Sequence, residues 1–396
     1  MDKLKYPKTR VKLSKYFTKY SFLWLTYLAL PSPWYNRLIS WLGLLSLISF
    51  TVRIYLFTNY ELEPVVALYL GDYAINFGQS HDLLLFLDLC WILCALIGWI
   101  LIHQSNTSIH KQTWFHSLAI LDGTVDHPKR FQCTSESAVG LASTILFICM
   151  KSSLIAGSVF AWCFYLPHFI ANFNCFSLFI NLVRDSLLAS ASAFYTNACC
   201  VNFGYLFSFY AFLTGQRIDY IVRSLKQQSM KSHSSRRIVF SNANDVISIL
   251  KQVDQTSSFW SPLNSITFIF TFIASILILY LVFFVTLDNI TRITLIALGI
   301  INFACGQSIN LLSGTYARLK LDQCHKQLYS LLTSTQFKLN HKVKLFVIAE
   351  YLVNRKLFAI FAVLEMNSLN YLLVAIEMAS HLLLVIINAN RNSKII

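Results

Sequence analysis

Charge is scarce in this chain. Only 13% of its 396 residues are Asp, Glu, Lys or Arg, where a soluble domain averages about 25%. Glycine (12) and proline (7) are also few for an α/β enzyme of this length. The sequence contains no G-x-G-x-x-G, no Walker loop, no G-x-S-x-G and no H-E-x-x-H, so nucleotide cradles, nucleophile elbows and zincin chemistry lack their carriers. The ten histidines are scattered. His103 and His110 fall near one another without the clustering that a zinc or di-iron centre requires. No Asp-rich or His-box motif marks a membrane-bound transferase. The expectation is a non-enzyme with no cofactor and no metal.

What the chain does have is apolar length. It is 56% hydrophobic and 15% aromatic, with mean hydropathy +0.56, and its apolar runs exceed any buried strand. These features predict an all-α polytopic membrane protein. Seven spans are expected: Leu38–Phe57, Leu83–Ile102, Ala138–Tyr165, Asp185–Leu213, Leu263–Leu287, Ile293–Leu312 and Ser368–Ala389. The last is about 22 residues, or roughly 33 Å of helix, enough to cross a hydrocarbon core of about 30 Å. The fourth is the weakest, being interrupted by Ser, Asn and Tyr; six or eight spans are the alternatives. Ahead of the first span, Phe22 to Trp34 is apolar but broken by Pro31 and Pro33, which suits an interfacial segment better than a span.

Basic residues set the orientation. Before the first span stand Lys3, Lys5, Lys8, Arg10, Lys12, Lys15, Lys19 and Arg37. With the N-terminus in the cytoplasm, the outside receives only Arg184, Arg292, Arg391 and Lys394, while Arg53 and Lys151 fall inside spans. Every other one of the 32 Lys and Arg residues faces the cytoplasm. The loop Thr58–Asp82 holds Glu61, Glu63, Asp72 and Asp82 and no Lys or Arg. The reading is therefore N-terminus inside, C-terminus outside, in a multi-pass plasma-membrane protein. The net charge of +14 then serves anionic inner-leaflet lipid rather than nucleic acid. This orientation is the reverse of a G-protein-coupled receptor. No D-R-Y follows the third span and no N-P-x-x-Y lies in the seventh.

Most of the non-membrane mass divides into a cytoplasmic linker, 214–262, and a segment before the last span, 313–367. Both carry helical stripes. One comprises Val246, Ile249, Leu250 and Val253 behind the N-cap candidate Asn244-Asp245; a second, Leu321, Cys324, Leu328, Leu331 and Phe337; a third, Val343, Phe346, Val347 and Leu352. Such faces want a partner, either within a self-contained bundle or between subunits as an anchor built from extensions of spans four to seven.

Cysteine adds little. Cys90, Cys94, Cys149, Cys199, Cys200 and Cys305 read as packing residues, and Cys163 and Cys175 lie close enough to the outer face to leave a short disulfide open. Two glycosylation sequons occur. Asn106 falls on the cytoplasmic side and Asn289 very near the membrane.

Charges and rings inside spans carry the site predictions. Asp88 and Lys151 reach similar depths and could pair, while Arg53 could snorkel to the headgroups. An outer-half ligand pocket would use Asp88 and Trp91 on the second span, Lys151, Phe160, Trp162 and Tyr165 on the third, and Ser192, Tyr195 and Asn197 on the fourth. For each of these residues, packing or lipid contact is the competing role. In the last span, Glu377, Ser380, His381, Leu384, Ile387 and Asn388 follow one broad helical face. A carboxylate at membrane depth implies that this face meets something other than lipid, such as a pore.

The pattern resembles the arthropod chemosensory receptors, in particular their gustatory branch. That family ends in Thr-Tyr, five apolar residues and Gln-Phe. Here Ser380-His381 stands at the first pair, Leu382 to Ile386 are the five apolar residues, and Ile387-Asn388 stands at the last pair. The family's upstream segment, like Gly-Leu-Phe-Pro-Leu-Asp, is matched in place by Ala362 to Asn367. The spacing is kept while each signature residue differs. The resemblance implies a ligand-gated cation channel, a homo- or heterotetramer with related receptor subunits. The last span would line the pore, a small-molecule tastant would sit among the outer halves of the earlier spans, and cations would be the permeant species. A small-molecule transporter, monomeric or dimeric with internal repeats, is the alternative.

Overall fold

The computed structural model describes residues 34–107, 135–230, 235–334, 337–360 and 364–392. Phe22 to Pro33 and the basic tail lie outside them. The described chain is almost entirely helical. Its elements are α1 (Trp34–Asn59), α2 (Pro64–Tyr69), α3 (His81–Thr107), α4 (Glu136–Ala171), α5 (Phe176–Thr196), α6 (Asn202–Ser229), α7 (Arg236–Phe284), α8 (Asn289–Phe303), α9 (Ile309–Ser334), α10 (Leu339–Val353) and α11 (Ser368–Asn392). A two-residue antiparallel pair, β1 (Ala359–Ile360) and β2 (Leu364–Glu365), precedes α11. Local chemistry starts two of the helices. The Ser135 hydroxyl accepts from the Ala138 amide at 3.2 Å, and the Asp288 carboxylate from the Thr291 amide at 3.0 Å.

Two joints depart from α geometry. A π-turn at Asn197–Val201 links α5 to α6, and another at Ala304–Ser308 links α8 to α9. Each inserts a wider turn into an otherwise continuous rod. Among the described residues, six helical runs are long and apolar enough to cross a membrane: Trp41–Asn59, His81–Leu101, Ser137–Ala171, Phe176–Ser229, Arg236–Phe284 and Asn289–Thr333. In α11 the apolar stretch is shorter, Leu372–Leu384. This is the make-up of a multi-pass membrane protein with six to seven apolar helices.

The fourth run differs from its expected bounds. It begins at Phe176 rather than Asp185, which places Asp185 within a helix, fully buried. That becomes possible because Arg53 on α1 places Nη1 2.8 Å from the Asp185 carboxylate. Arg184 adds a second contact through Nε at 3.1 Å. Arg53 is thus paired across the bundle instead of reaching out alone. The described residues of the segment 214–262 belong to the extended helices α6 and α7.

The core has two parts. One, at the end of the bundle that carries Asp72 and Asp185, joins α1, α3, α4, α5 and α7 around Leu47, Leu84, Tyr165 and Leu182. The other, at the opposite end, joins α6, α7, α9 and α10 around Phe207, Trp260, Leu321 and Leu345. The stripes Val246, Ile249, Leu250, Val253 and Leu321, Cys324, Leu328, Leu331 are buried in this second core, against their own chain. Neither is left for another subunit. The stripe on α10 divides: Leu352 is buried, while Val343, Phe346 and Val347 are exposed.

Candidate functional site

A cavity of about 140 Å³ opens between α3, α4, α5, α7 and α8, with Phe50 of α1 at one wall. Six of the residues expected at a pocket line it: Asp88, Trp91, Phe160, Tyr165, Ser192 and Asn197. Three do not. Lys151 is exposed, its Nζ 4.5 Å from the Phe147 ring centroid, so the anticipated Asp88–Lys151 pair does not form. Trp162 stacks on Phe169 with centroids 5.8 Å apart. The Tyr195 ring fills the space beside Gly43, where a Cβ would come within 2.4 Å of Cζ; it packs α5 against α1 instead of facing the cavity. Cys163 and Cys175 are free thiols.

Tyr73, ahead of α3, and Phe164 also line the cavity, with Thr271, Asn302 and Gly306 across from them. Of these, Asn302 had a readable signal, as a lone amide in the apolar run of α8. It accepts from Trp91 Nε1 at 3.3 Å and donates Nδ2 to the Thr271 carbonyl at 2.7 Å and to Ser275 at 2.8 Å. One amide therefore ties α3, α7 and α8 together. Both π-turns border the cavity, through Asn197, Cys200 and Val201 on one side and Gly306 on the other. Asn197 packs so tightly on α4 that a Cβ on Gly157 would lie 1.8 Å from its Nδ2.

The polar end of the cavity is built on the turn after α2. Gly71 adopts φ +90°, a conformation that favours glycine, and a Cβ there would come within 2.8 Å of the Asp185 carboxylate carbon. Its carbonyl accepts the Tyr165 hydroxyl at 2.9 Å. Next to it Tyr73, held at its own carbonyl by His168, donates its hydroxyl to Asp88 Oδ2 at 2.6 Å. The backbone turn is held by Asp72, whose carboxylate accepts from the Ala74 amide at 3.0 Å and meets His81 at 2.7 Å.

The second candidate site is α11. It rests on α7 and α9 through a narrow face in which Met378 is buried and Val374, Leu382 and Ile386 are half-buried. Between Leu372 and Ile387 the other described side chains are exposed. Glu377, Ser380, His381, Leu384 and Ile387 are all exposed. Asn388 belongs to the same helix, but its side chain lies outside the described residues. Glu377 Oε1 lies 3.4 Å from His381 Nε2, and the His381 ring meets Phe272 edge-on at 5.9 Å. At its foot α11 is fixed to the bundle. Arg318 of α9 holds the Glu365 carboxylate at 3.1 Å and the Arg355 carbonyl at 2.7 Å, and Ser261 of α7 donates to the Ala359 carbonyl at 3.0 Å. Asn367 caps the first turn by accepting from the Asn370 amide at 2.9 Å.

No protein-family model matches the chain, and no curated protein resembles it significantly in sequence. Its architecture is nevertheless shared. An olfactory receptor of the insect Machilis hrabei superposes with a TM-score of 0.56 over 94% of this chain and 96% of that one, at 10% identity. This chain has the fold of an insect olfactory receptor.

Proposed function

We infer that the chain is a chemosensory receptor subunit that acts as a ligand-gated, non-selective cation channel in the plasma membrane, N-terminus inside. The single observation that carries this reading is the open, carboxylate-bearing face of α11. A membrane helix that buries only one narrow strip on its own subunit and carries Glu377 on an uncovered face needs water or other subunits there. Four such helices around an axis would supply both, with a ring of Glu377 that draws cations and a narrower apolar ring at Leu384. The fold shared with an insect olfactory receptor and the resemblance of the α11 spacing to gustatory receptors support it; the gustatory assignment rests on that spacing. The lined cavity is the place for a small tastant, and the clamp of Arg318 and Ser261 at the foot of α11 offers a mechanical route from bundle to pore.

A transporter is the second reading, because both joints that border the cavity are π-turns within long apolar runs, and interrupted helices around a central site are typical of transporters. Imaging of purified particles separates the two. Fourfold projections with α11 at the axis support the channel; monomers or twofold dimers overturn it.

A further inference from the structure

The ligand class can be read from the charges that the cavity contains and those it lacks. Among the described residues, Asp88 is its one carboxylate, and no Lys, Arg or His lines it. Tyr73 donates to one oxygen of that carboxylate; no other hydrogen bond or ion pair reaches Asp88 from the described residues. The neighbouring cations are engaged elsewhere, Arg53 with Asp185 at 2.8 Å and Lys151 over the Phe147 ring at 4.5 Å. A carboxylate inside a bundle of apolar helices calls for a proton, water or a positive partner, and a cationic ligand supplies the last.

The walls suit the same partner. Tyr73 packs against Phe164 and Tyr165 with centroids 5.4 and 5.6 Å apart, and Trp91 and Phe160 add further rings to the lining. Ring faces around a carboxylate attract an organic cation. Most polar groups on the other walls are already bonded within the protein: Trp91 to Asn302, Tyr165 to the Gly71 carbonyl, and Ser192 to the Ser46 carbonyl. A polyhydroxylated molecule would lose its water hydrogen bonds there without replacement. The volume, about 140 Å³, is close to the ~150 Å³ of an engineered apolar cavity that takes benzene.

We propose that the cavity binds a small protonated amine on a single-ring-sized apolar body, with the ammonium group between Asp88 and the Tyr73, Trp91 and Phe164 rings. The proposal rests on the receptor reading above. Full-length protein in lipid nanodiscs is titrated with benzylamine and with benzyl alcohol, its neutral near-isostere, at neutral pH, with thermal stabilisation as readout. Benzylamine is expected to bind at least about tenfold more tightly, and Asp88→Asn to bring it down to the level of the alcohol, whose own affinity is unchanged. Tyr73→Phe keeps the carboxylate and should keep the preference. The wild-type comparison decides the matter even if Asp88→Asn fails to fold. Equal binding, preference for the alcohol, or no saturable amine binding overturns the proposal. Current is recorded separately: saturable amine binding without current removes the channel and keeps the amine site, whereas currents gated by the alcohol and not by the amine do the reverse.

Discussion

Arg53 and Asp185 meet at 2.8 Å, 132 residues apart in the chain, with the aspartate completely shielded from solvent. Losing Asp185 leaves Arg53 without its partner, at a cost of about 3–5 kcal/mol, and losing Arg53 leaves the buried Asp185 with only the more exposed Arg184, 3.1 Å away. Arg53→Met is expected to lower the unfolding temperature strongly in detergent, as is Asp185→Leu. The double substitution should recover much of the loss, because two apolar side chains replace two charges together. Additive losses in the double variant would show that the two residues do not act as a pair.

Tags at Met1 and Ile396 test the orientation. The C-terminal tag should be reached by antibody on intact cells and the N-terminal tag only after permeabilisation. Accessibility of both from one side would remove the N-in, C-out arrangement, and with it the channel reading.

Assembly should depend on α10 and not on the buried stripe of α9. Leu328 and Leu331 lie in the core of their own subunit, so Leu328→Asp buries a charge and is expected to cost about 4 kcal/mol or more, abolishing folding. Val347 is 60% exposed, so Val347→Asp should leave the subunit folded and inserted while reducing oligomer size on gel filtration. Unchanged oligomers in Val347→Asp would exclude this face from the subunit contacts.

Glu377 and Leu384 are seven residues apart on the open side of α11, nearly one above the other. Glu377→Gln should shift the reversal potential toward lower cation selectivity with normal surface expression. Leu384→Ala should leak without ligand. Unaltered conductance and selectivity in Glu377→Gln, accompanied by loss of stability, would place this glutamate in a packing contact and not at a pore.

Several features could be read before any coordinates. Helices were legible because apolar runs of membrane-crossing length leave the backbone no other way to satisfy its hydrogen bonds in lipid. Glu377 stood out in the sequence because a carboxylate in such a run has few tolerable surroundings. Amphipathic periodicity marked the stripes at Val246 and Leu328, although not what covers them. Only the tertiary structure settled that both pack on their own chain while Val347 stays exposed. It also decided the pairing of charges. Asp88 and Lys151 share a depth in the sequence, but Lys151 points out of the bundle and Asp88 into it, where Tyr73 reaches it from a short turn. Arg53 finds Asp185 through the crossing of α1 with α5. Depth follows from counting along one helix; azimuth and partner follow from how helices pack, and that depends on contacts between residues more than a hundred positions apart.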